Sequence, residues 1–135
     1  MNNLVIFNQE TAERQMYGTL DMTSKENKAK LFNATENADV LANDCVGAKF
    51  TLKDVYIEKI PKIDEETGEQ VTKYRTIMFD QDGKTYATGA YGIYNTVAKI
   101  LSIYGVETLH EEGLEVEIAK STQNGKTRLY LKVIG

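Results

Sequence analysis

The chain has 135 residues, 41% hydrophobic and 27% charged, which allows one folded domain with a real core and excludes global disorder. Sixteen Lys and Arg against 20 Asp and Glu give a formal net charge of −4, so any polyanion would have to be held by locally clustered cations. One cysteine, Cys45, excludes an internal disulfide and fits a reducing cytoplasm, and the apolar run Leu4–Phe7 is too short for a signal peptide or a membrane span.

Residues 1–26 hold that short apolar run and then polar text without a sustained period. They read as a flexible N-terminal arm, with the folded domain occupying residues 27–135. Lys28–Phe32 reads as a short strand or as chain packed onto the domain. Asn33–Asn43, with Thr35 ahead of Glu36, Ala38, Val40 and Leu41, suits a short capped helix.

Strand signals strengthen from Gly47. Phe50 and Leu52 share one parity and Val55 and Ile57 the other, so a bulge is expected near Asp54, where the pattern switches faces. Pro61 should end the central pairing, and Asp64–Gly68 forms an acidic hairpin tip. A second strand covers Val71–Asp80, with Ile77 and Phe79 as its inward pair. Asp82-Gly83 is a tight-turn signal, and Lys84–Thr88 makes a third strand.

Ile93, Val97, Ile100, Leu101 and Tyr104 then recur at helical spacing over Ala90–Tyr104, and Gly105 supplies the left-handed stop. Leu114, Val116 and Ile118 alternate in a fourth strand. Asn124-Gly125 turns the chain, and Leu129, Leu131 and Val133 alternate in a fifth. The result is a mainly β chain with one principal helix: a five-stranded OB barrel with the helix between strands 3 and 4. That fold often binds single-stranded nucleic acid or oligosaccharide.

Catalysis finds little support, so an enzyme is not expected. His110, beside Glu111 and Glu112, reads as a solvated loop residue. No serine sits in a nucleophile elbow, and one His with one Cys does not make a metal site. No cofactor is implied.

The aromatics carry more information: eight tyrosines and no tryptophan. Tyr56 and Tyr74 lie opposite in parity to the inward residues of their strands, and Tyr86 sits in the short third strand beside the helix start; all three fall on the first three strands, whose outer face is the usual OB binding platform. Bases stack on such rings with little sequence preference. Lys53, Lys59, Lys62, Lys73, Arg75 and Lys84 are interleaved on the same strands and can reach phosphates. Taken singly, such tyrosines are ordinary strand formers and such lysines protect sheet edges; as a set they favour binding.

Several segments resemble the single-stranded DNA-binding proteins of Gram-positive phages and conjugative elements. They are Lys28-Ala-Lys-Leu-Phe-Asn-Ala34, Phe50-Thr-Leu-Lys-Asp-Val-Tyr-Ile-Glu58, Glu66-Thr-Gly-Glu69 and Arg75–Ala87, continuing into Gly92-Ile-Tyr-Asn95. The resemblance covers roughly residues 28–134 and implies a protein that coats single strands during replication or transfer. RNA is the alternative strand. The rival reading is a protein-interaction module in a replication or transfer complex, which the acidic balance favours. Leu4, Val5, Ile6 and Phe7 would join neighbouring subunits into a homo-oligomer; the alternative is an arm that is disordered or folds back on its own barrel. No membrane is involved in either reading.

Overall fold

The computed structural model describes residues 5–7 and 15–135, of residues 5–7 the backbone alone. Among these the chain runs β1 (Val5–Phe7), β2 (Gln15–Gly18), α1 (Lys25–Glu36), β3 (Val40–Leu41), a 3₁₀ turn (Ala42–Asp44), β4 (Lys49–Ile63), β5 (Gln70–Asp80), β6 (Thr85–Thr88), α2 (Tyr91–Ile103), α3 (Val106–Glu111), β7 (Leu114–Gln123) and β8 (Lys126–Val133). The fold is mainly β and OB-like, but among the described residues its sheet has eight strands instead of five and it carries three α-helices instead of one.

The fifteen-residue β4 organises the molecule because it changes partners along its length. Lys49–Leu52 pair with β7, and Tyr56–Lys59 pair on the same edge with β2. The other edge pairs with β5 from Leu52 to Ile63. The expected bulge is present, as a register shift between Leu52 and Asp54. It lies where the sheet forks from β7 to β2.

Thr19 pins the fork. Its hydroxyl accepts from the Val55 N–H at 2.9 Å and donates to Asp54 Oδ1 at 2.9 Å. His110 Nε2 lies 2.7 Å from the same Oδ1, so His110 ends a helix and closes the bulge, where a solvated loop residue was expected.

Pro61 does not end the pairing, which continues through Pro61↔Thr72 to Ile63↔Gln70. The described pairing of β2 with β4 ends at Lys59, so proline's missing N–H falls on an edge that meets no other strand among the described residues, where it costs no ladder bond.

Of residues 15–26, read as part of the arm, Gln15–Gly18 are strand paired to β4, and Lys25 and Glu26 open α1. Ser24 caps that helix by accepting from the Asn27 N–H at 3.2 Å. The helix ends at Glu36, so Lys28–Phe32 is helical and the short helix expected over Asn33–Asn43 begins earlier instead. Leu4 lies outside the described residues, as do the side chains of Val5, Ile6 and Phe7.

Both faces of the β4–β5–β6 sheet are covered. One face, with Leu52, Val55, Met78 and Tyr86, packs on Ile93, Val97 and Ile100 of α2 and on Leu114, Val116, Ile118 and Leu131 of β7 and β8. The other face, with Tyr56, Ile77, Phe79 and Ala87, packs under Leu31 and Ala34 of α1 and against Leu20. Ile77 and Phe79 are therefore buried as expected but lie under α1, and Met78 is the residue that points into the barrel.

Helix α2 closes the barrel on the side where β6 and β8 form no ladder. The Leu131 N–H on the edge of β8 donates to Thr96 Oγ1 at 3.0 Å, and that hydroxyl donates back to Gly92 O at 3.0 Å. Gly92 sits directly against the Leu129 carbonyl.

Candidate nucleic-acid interface

Strand register assigns each expected contact residue to a face. Lys59↔Tyr74, Ile57↔Thr76 and Tyr17↔Ile57 form one row, continuous with the barrel-lining pair Val55↔Met78. Tyr56↔Ile77, Glu58↔Arg75 and Ile60↔Lys73 form the opposite row, which runs under α1 at its inner end. Of the nine residues expected to bind, the structure brings together Tyr74 and Lys59, both half-buried and directly cross-strand.

Tyr74 is joined from α2 by two rings that sequence reading left out of the site. Its ring centroid lies 4.5 Å from that of Tyr94 and 4.9 Å from that of Tyr91, and Tyr91 and Tyr94 are 6.1 Å apart. Tyr91 is 56% exposed, which leaves ring surface free for a partner. The signal was legible: tyrosines three apart at a helix start share one face. Tyr17 completes the group from β2. With Lys59 and Tyr94 it lines a cleft of about 100 Å³ floored by Ile57.

Burial pushes the Tyr94 phenol up, and the neighbouring Tyr74 and Tyr91 add to the effect; burial also raises Tyr17. Tyr17 and Tyr94 therefore stay neutral at physiological pH and present uncharged aromatic faces beside Lys59.

Tyr56 and Tyr86 do not join them. Tyr56 is buried beneath α1, because the face expected to be the platform is the one that helix covers. Tyr86 lines the barrel, stacked on Phe50 at 4.2 Å with planes 10° apart. Burial, then the charge and hydrogen bond of Asp80, push its phenol up to about 12. The fold favours the neutral phenol, so this contribution is intact below the ordinary value of 10.0 and is lost as pH rises through about 12. Alkaline titration followed by ultraviolet difference absorbance should show one tyrosine ionising last, together with loss of the fold. Replacing Tyr86 by phenylalanine should remove that late step.

The remaining cations are dispersed. Arg75 donates to the Thr35 carbonyl at the end of α1, and so acts as a cap from the sheet. The Lys53 ammonium donates to the His110 carbonyl at 2.8 Å. Lys84 lies 5.5 Å over the Tyr86 ring at the other end of the barrel. Lys62 and Lys73 are exposed on the opposite face of the β4–β5 ribbon. No group of three or more His, Cys, Asp or Glu among the described residues could hold a metal ion. No helix there is long and apolar enough to cross a membrane.

Comparison with known proteins bears on the family of the chain. A family model described as phage single-stranded DNA-binding protein matches residues 10–133. The chain is 29% identical over 121 residues to the single-stranded DNA-binding protein of Bacillus phage GA-1, spanning 85% of this chain and 69% of that one. No solved structure matches.

Proposed function

The chain belongs to the phage single-stranded DNA-binding protein family, and on that premise we propose that it holds single strands on the face formed by Tyr17, Tyr74, Tyr91 and Tyr94, with Lys59 at a phosphate. The observation that carries this reading is the trio of rings 4.5–6.1 Å apart on the same face as a half-buried lysine. Stacked bases need accessible π-faces and a nearby cation, and they tolerate any sequence. A binding protein that coats strands during replication or transfer needs no reacting group, and none is invoked. We read β4–β8 with α2 as an OB barrel opened between its third and fifth strands, working in the cytoplasm.

Fluorescence anisotropy with labelled single-stranded DNA, single-stranded RNA and duplex, at two salt concentrations, tests the reading. Single strands should bind more tightly than duplex, whose base faces are hidden. Affinity should fall with salt, and replacing Lys59 by glutamine should lower the log–log salt slope by about 0.7, the share of one phosphate on a single strand. Equal affinity for duplex would overturn stacking. No binding at low salt would favour the protein-interaction module.

Association through Leu4, Val5, Ile6 and Phe7 is a further part of this proposal. The β1 backbone pairs with β2 on one edge, and its other edge meets no strand among the described residues. Such an edge can add a strand from a second copy. Light scattering on the chain with and without residues 1–7 should show a lower mass for the shorter form; an unchanged mass would retire the idea.

A further inference from the structure

The barrel has a second face that carries cations and an aromatic ring, and its side chains belong to neither hydrophobic core among the described residues. On β8, Leu129, Leu131 and Val133 point inward, so Lys126, Arg128, Tyr130 and Lys132 share the outward face. Their register partners on β7 are Gln123, Ser121, Ala119 and Glu117, with one acid opposite Lys132 at the far end. In a chain of net charge −4 this face is locally basic. Arg128 lies 5.1 Å over the Tyr130 ring, while the residue opposite that ring, Ala119, is too small to cover it.

This face borders the tyrosine platform across a tight seam. A Cβ built on Gly92 would lie 3.7 Å from Arg128 Cγ, and Gly92 follows the exposed Tyr91. The contact requires glycine, so the close approach of α2 to β8 is what makes the two surfaces neighbours.

We propose that the single strand leaves the platform over Tyr91, crosses the α2–β8 seam and is held again on β8, with a base on Tyr130 and phosphates at Arg128 and Lys126. The proposal rests on the platform reading for the strand's starting point. An Arg–aromatic pair suits this role, because the guanidinium can stack on the ring and still reach a phosphate. It makes the protein a two-station binder, whose second station is engaged only by a strand long enough to cross the seam.

The test is anisotropy of the full chain with labelled oligothymidylates of increasing length at one salt concentration, comparing wild type with Tyr130→Ala, Tyr130→Phe and Arg128→Gln. Wild type should gain affinity in a second step as length grows. Tyr130→Ala should abolish that step, weakening long oligonucleotides at least fivefold. It should leave short ones unchanged. Tyr130→Phe should keep the step, and Arg128→Gln, which retains the stem, should reduce it. A length step untouched by Tyr130→Ala and Arg128→Gln overturns the β8 station. Equal loss at every length overturns it too, since a separate station would spare short strands. Tyr74→Ala on the short oligonucleotides checks the platform independently: if it costs nothing there, the platform reading fails, whatever the length series shows.

Discussion

Alanine at Tyr74 or Tyr94 is expected to weaken single-strand binding by roughly 1–3 kcal/mol each while leaving the fold intact, and alanine at Tyr56 or Tyr86 is expected to do the reverse. The contrast follows from burial. Tyr74 and Tyr94 are half-buried and packed with their planes tilted 47° to one another, and Tyr94 borders a cleft with Lys59, the cross-strand partner of Tyr74. Tyr56 and Tyr86 are 4% and 5% exposed and sit in two different cores. Truncating a buried aromatic residue costs about 3–5 kcal/mol, a large part of the roughly 5–15 kcal/mol that holds a domain together. Chemical denaturation monitored by circular dichroism measures one axis, and anisotropy with single-stranded DNA the other. Loss of binding in a fully folded Tyr86→Ala protein would return the site to the face first expected. A Tyr74→Ala protein that binds normally would remove the platform. Tyr91, the most exposed ring of the trio, should behave like Tyr94 with a smaller effect on stability.

The sequence announced the elements more clearly than the faces. Asp82-Gly83, Gly105 and Asn124-Gly125 each required positive φ. Gly83, Gly105, Asn124 and Gly125 have it, so those turns and the helix stop were legible. The parity switch between Phe50–Leu52 and Val55–Ile57 likewise marked the bulge. What parity could not give was which side of β5 faced the barrel. Thr76, Ile77, Met78, Phe79 and Asp80 are all buried, because α1 covers one face and α2 the other. A strand buried on both sides carries no in–out alternation to read.

The second cover was hard to see in its own right. Helix α1 buries only Leu31 and Ala34, so its apolar stripe is too narrow to stand out from a polar segment. Its start was marked by Ser24, a capping residue ahead of good helix formers. Missing it exposed the wrong face of the sheet, and Tyr56 with it. Tyr17 was missed for a related reason: it belongs to β2, a four-residue strand whose pairing with β4 is wholly long-range.

Gly92→Ala should be among the most destabilising single changes in α2, although alanine is the better helix former. The methyl group would sit 1.9 Å from the Leu129 carbonyl oxygen and 3.1 Å from its carbon. Both atoms are backbone, held in β8 by its ladder with β7, and cannot swing aside as a side chain would. The helix would have to withdraw, stretching the Leu131 N–H bond to Thr96 that covers the open edge of β8. Overpacking of this kind and a weakened hydrogen bond together cost roughly 3 kcal/mol. The gain in helix propensity returns about 1 kcal/mol, leaving a net loss near 2 kcal/mol. Gly89→Ala is the matched control. A Cβ there meets only the Tyr74 carbonyl, at an ordinary 3.5 Å, and should change stability little. Urea midpoints for the two variants and wild type measure the difference. If Gly92→Ala proves as stable as Gly89→Ala, α2 is not seated on β8, and the barrel is not closed by the helix. If it is destabilised but still folded, withdrawal of α2 should also part Gly92 from Arg128 and open the seam. Affinity for long single strands should then fall more than affinity for short ones, linking the closure of the barrel to the continuity of the surface that holds the strand.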